Sequence, residues 1–133
     1  MNYGNGLVLD AGQLDRLAVE LDSRSHAVGF VSRFLEHLPD RLTCVHQSLF
    51  EGKSDGALAA IRSVATSAAM AGAIQLEGHS RAVERCIRAG DLEAALAAAG
   101  ELDSNAADFV RHLYALLGSP GPAQSEPWTH PES

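Results

Sequence analysis

The sequence predicts an all-α fold, an antiparallel up-down-up-down four-helix bundle preceded by a short extra helix. Three observations carry this expectation. Apolar residues recur at three- and four-residue spacing through most of the chain, as on a helix face turned toward a core. Aromatics make up 5% of a composition dominated by Ala and Leu, which suits helices and starves a sheet of the residues it packs best. The breaks between periodic stretches are short, and short connections force neighbouring helices to run antiparallel. No stretch reads as a strand.

Residues 1–6 are rich in Asn and Gly and read as a flexible start, with Leu7 and Leu9 as a short docking segment. Asp10, followed by Gln13, offers a side-chain cap for a helix from Ala11 to Asp22. Leu14, Leu17, Ala18 and Leu21 share one side of it; being short, it must lie against something larger. Ser23 or Ser25 caps a long helix that runs to Phe50, with Val31, Leu35, Leu38, Leu42, Val45 and Leu49 as its seam. Pro39 removes one backbone bond from that helix, but the seam keeps register across it, so a kink is expected rather than an end. Glu51 to Asp55 forms a turn, with Ser54 or Asp55 as the next cap.

The stretch from Ala57 to Ala73 reads as the central helix. Leu58, Ile61, Val64, Ala65, Ala68 and Ala71 form its core stripe. Another face carries Ala59, Arg62, Ser63, Thr66, Ala69 and Ala73, all small except for one long cation. Such a face lets a second surface approach closely. Gln75 to Ala89 forms the next helix, with Leu76, His79, Val83, Cys86 and Ile87 inward; Gly90 ends it and Asp91 caps its successor. The last helix spans Leu92 to Leu117, its stripe running through Leu96, Ala99, Leu102, Ala106, Phe109, Leu113 and Leu116. Gly100 and Asp103-Ser104-Asn105 are the places where it bends or breaks. Residues 118–133 are rich in Pro, Ser and Gly and read as a disordered tail containing Trp128.

At 133 residues the chain reads as one domain able to bury a core unaided. Its formal charge of −7 disfavours a phosphate-backbone partner, so no nucleic acid is expected. No apolar run approaches a membrane span, and no basic segment followed by an apolar run opens the chain; a soluble, cytoplasmic protein is expected, with no membrane partner. Two cysteines, Cys44 and Cys86, are too few for a disulfide framework or a Cys-rich zinc site, and both read as small buried hydrophobes.

The chemistry-bearing residues do not assemble into a recognisable catalytic pattern. His26, His37, His46, His79, His112 and His130 lack metal-ligand spacing, and no cofactor or metal is expected. His37 and His46 fall on the polar side of their helix, whereas His79 falls on an inward stripe. Gly52-Lys53-Ser54 lacks the upstream glycine and strand of a phosphate loop. Arg81, Arg85 and Arg88 form a cationic row. Glu77 and Glu84 sit four residues before Arg81 and Arg88 and account for most of it as intrahelical pairs, each about 0.3–0.5 kcal/mol. Contact with an acidic partner is the functional reading of the same row.

Residues 7–117 resemble the histidine phosphotransfer (HPt) domain family in the order and spacing of three segments. These are Phe34-Leu35-Glu36-His37-Leu38-Pro39 followed by Leu42 and Leu49; Ala68-Ala69-Met70-Ala71-Gly72-Ala73 with Leu76; and Val83-Glu84 followed by Arg88-Ala89-Gly90-Asp91. The resemblance implies an antiparallel four-helix bundle with a small extra helix. The family's active helix reads A-H-x-L-K-G-S before its small residues and glycine. Aligned on Gly72, this sequence has Arg62 where the phosphoacceptor histidine is expected, and Ala65 and Thr66 where the lysine and glycine are expected. A guanidinium stays protonated and cannot accept a phosphoryl group.

The resemblance therefore implies a degenerate member with no catalytic residue. It would bind a response-regulator receiver domain in two-component signalling through the bare face, with Arg62 as the anchor. Two alternatives stand beside it: an active phosphotransfer protein using His79 or His46, and a structural bundle serving self-association. The polar outer faces are compatible with a monomer, and the oligomeric state is open.

Overall fold

The computed structural model describes residues 8–117. The expected flexible start at 1–6 and the expected tail at 118–133 lie outside the described residues. The described chain is all-helical: α1 (Ala11–Glu20), α2 (Arg24–Phe50), α3 (Ser54–Ala71), α4 (Ile74–Arg88), α5 (Leu92–Ala99) and α6 (Leu102–Leu117). No described residue is in a strand.

Three of the helices, α1, α2 and α5, start where a side-chain oxygen satisfies a free amide, whereas α4 starts at Ala73 with no side-chain cap. Asp10 accepts from the Gly12 amide at 3.0 Å, Ser23 from the His26 amide at 3.1 Å, and Asp91 from the Ala94 amide at 3.0 Å. The entry to α3 departs from this pattern. Its N-cap is Lys53, with no side-chain cap bond, so neither Ser54 nor Asp55 caps the helix; both lie inside its first turn. The α2 helix continues through Pro39. The expected last helix is two helices, parted at Gly100–Glu101.

In the core, α2 packs on α3, α3 on α4, and α4 on both α5 and α6, which also pack back onto α2. The small α1 lies against α2 and α3. Leu38, Leu42, Val45, Ile61, Val64, Leu76, Val83, Leu102 and Phe109 are the main fully enclosed side chains. Each such residue contributes about 1.5–3 kcal/mol through removal of apolar surface from water. Phe34 of α2 meets Phe109 of α6 edge to face, ring centroids 6.1 Å apart.

Several expected inward positions lie elsewhere, among them Leu21, 39% exposed just past the end of α1. Leu96 is 42% exposed, since Ala95 and Ala99 take the buried side of α5, and Leu116 is 46% exposed in the last turn of α6, beyond the buried Leu113. Cys44 is exposed on α2, one residue from the buried seam at Val45; Cys86 is half-buried.

Gly72 fixes how α1, α3 and α4 meet. It closes α3 at φ +78°, a left-handed conformation favouring glycine. Its carbonyl accepts from the Asp10 amide at 2.8 Å, and the Ile74 amide donates to the Val8 carbonyl at 3.1 Å. A side chain at position 72 would stand 2.8 Å from the Asp10 carbonyl oxygen and 3.0 Å from Gln13 Cβ.

Candidate docking face on α3 and α4

The bare face of α3 is outward. Ala59, Arg62, Ser63 and Thr66 are exposed, and Ala69 is half-buried at its edge. Their positions follow from helix periodicity: Ala57, Ile61, Val64 and Ala68 occupy the opposite side and are fully enclosed. Met70, 38% exposed, extends the face toward the helix end. Ala73 does not belong to it. It lies beyond the end of α3 as the N-cap of α4 and is fully buried, because the left-handed turn at Gly72 redirects the chain inward.

Arg62 stands at the border with α4, and its partner there is a carboxylate. Its Nε donates to Glu84 Oε2 at 3.1 Å, joining residues 22 apart in the sequence. Arg81 Nη1 approaches Glu84 Oε1 at 3.3 Å, and Arg88 Nη1 approaches Glu84 Oε2 at 3.7 Å. Arg81 also lies 3.8 Å from Glu77. Both expected intrahelical pairs, Glu77–Arg81 and Glu84–Arg88, are therefore present.

Glu84 is the hub of the cluster. Its side chain is 14% exposed, against 49% for Arg62 and 58% for Arg88. The hydrogen bond from Arg62, with the neighbouring charge of Arg81, holds the Glu84 carboxyl below the ordinary glutamate range; partial burial opposes this. Arg85 is exposed and lies in no ion pair among the described residues. The cross-helix link between Arg62 and Glu84 has no local sequence signal, since neither residue sits at helical spacing from the other.

The described face carries two hydroxyls, Ser63 and Thr66, and no carboxylate or thiol. Arg62 remains a cation, and no histidine lies among its residues. Ala65 is fully buried, so a long ammonium side chain has no place there.

The other histidines are dispersed. His37 is exposed. His46 is half-buried, its Nε2 closed off from solvent and 3.6 Å from Asp103 Oδ1. His79 is also half-buried rather than fully inward, with Nδ1 closed off and no hydrogen-bond partner in the described structure. No group of three potential metal ligands converges among the described residues. No described helix is long and apolar enough to cross a membrane.

A second group of basic residues was not singled out from the sequence. Arg33, His37 and Arg41 of α2 line a cleft against Ser67 of α3. Their four-residue spacing was the signal available for finding them.

Comparisons with family models, with curated proteins and with solved structures give no match to this chain.

Proposed function

We propose that this chain is a degenerate HPt-like domain, an up-down-up-down bundle that docks a response-regulator receiver domain without accepting a phosphoryl group. The observation carrying this reading is the exposed α3 face with Arg62 at its border. Small side chains let a partner surface approach, and the one long side chain presents a fixed guanidinium to an acidic pocket or a phosphoaspartate. Arg81, Arg85 and Arg88 extend the positive surface onto α4. The ring of helix contacts among α2, α3, α4 and the α5–α6 pair supports the bundle topology.

Phosphotransfer through His79 or His46 has less support, because each ring has a nitrogen closed off from solvent. The test is an NMR titration of labelled protein with receiver domains from the same organism. Amide shifts centred on Arg62, Thr66 and Ala69 are expected, with affinity falling at least ten-fold in Arg62→Glu. Failure of every receiver to bind, or affinity unchanged in both Arg62→Ala and Arg62→Glu, overturns the proposal. Self-association then becomes the leading question, read from mass against concentration.

A further inference from the structure

We infer that the cleft between α2 and α3 is a site for a phosphoryl-sized oxyanion. Residues 33, 37 and 41 fall at successive four-residue steps, which align Arg33, His37 and Arg41 along one side of α2. With Phe30, Phe34 and the Ser67 hydroxyl they line a cavity of about 270 Å³. The lining contains three basic groups and no carboxylate.

That arrangement stands out in a chain of net charge −7. Seven of its ten lysines and arginines lie in ion pairs, whereas Arg33, Arg41 and Arg85 have none among the described residues. Two of those three line this one cleft. Arg41 Nη1 instead donates to the neutral Ser67 hydroxyl at 3.2 Å, leaving its other guanidinium donors for a ligand.

A phosphoryl group fits the chemistry. Its oxygens accept several charge-assisted hydrogen bonds at once, and guanidinium forks match that geometry. Phe34 is nearly enclosed and Phe30 half-buried, so one wall is apolar and strengthens the electrostatics beside it. This inference does not rest on receiver docking: its residues come from α2 and from the edge of α3 away from Arg62.

Titration of the labelled full chain with inorganic phosphate tests it, with chloride holding ionic strength constant. Phenyl phosphate in a second arm separates free phosphate from a phosphoryl group carried on a larger molecule. Saturable shifts at the Ser67 amide and the His37 ring are expected with one or both probes. Arg33→Gln and Arg41→Gln should each weaken binding at least ten-fold while keeping the wild-type melting temperature, and Arg85→Gln should leave it unchanged. Stronger binding of phenyl phosphate assigns the carried group, and stronger binding of phosphate the free ion. Non-saturating shifts with both probes, or equal weakening by Arg85→Gln, overturn the inference.

Discussion

Glu84 shows how one carboxylate can organise a surface. Three arginines converge on it from two helices, and its side chain is far more enclosed than theirs. Replacing it with Gln should cost about 1 kcal/mol at neutral pH, above an isolated exposed pair but below a buried one. The pH dependence follows from the lowered carboxyl pKa: the contribution is present above the ordinary glutamate value of 4.5 and is lost as pH falls through the depressed folded value. Urea unfolding of wild type and Glu84→Gln should therefore differ at pH 7 and converge in acid. Ala65 makes a second residue-scale prediction. A lysine there must bury its stem and charge or displace the core, so Ala65→Lys should cost more than about 2 kcal/mol in the same measurement. The thiols should also separate under a disulfide reagent, exposed Cys44 reacting rapidly and half-buried Cys86 slowly.

Among elements, the turns define the geometry. Gly72 and Gly90 have nearly the same left-handed φ, +78° and +79°, but different surroundings. Nothing lies within 4 Å of a side chain placed at position 90, whereas one at 72 meets the Asp10 backbone. Gly90→Ala should cost about 1 kcal/mol from conformation alone, and Gly72→Ala at least about 1 kcal/mol more, because α1 must move. Thermal or urea unfolding reads both. The sequence made the helices legible through local chemistry: Asp10, Ser23 and Asp91 cap where short polar side chains precede apolar periodicity, and Gly90 closes α4 where expected, whereas Gly72 ends α3 inside the stretch read as helix to Ala73. Lys53 replaces the expected cap because helix entry there depends on the preceding turn. Periodicity across Gly100 suggests one stripe, but the helix is interrupted at Gly100–Glu101 and Leu96 is exposed. Ala73 reads as the next small residue on the bare face until the left-handed turn carries it into the core. The face from Ala59 to Ala69 is visible from spacing, but its tie to Glu84 depends on which helices become neighbours.

At the scale of the molecule, charge sign and charge placement differ. The chain is strongly acidic, yet α2, α3 and α4 carry Arg24, Arg33, Arg41, Arg62, Arg81, Arg85 and Arg88, seven of its ten lysines and arginines. An acidic partner docking on this surface should associate faster at low ionic strength, with the rate falling as salt screens that field; stopped-flow mixing at several salt concentrations, with any receiver that the NMR titration finds to bind, measures this. The Arg62–Glu84 pair adds a consequence for how such a partner is received. An incoming anion competes with Glu84 for the half-exposed Arg62 side chain. If the guanidinium swings away to an incoming anion, Arg81 and Arg88 still neutralise Glu84. The molecule can therefore lend out one cation without stranding the carboxylate it leaves behind.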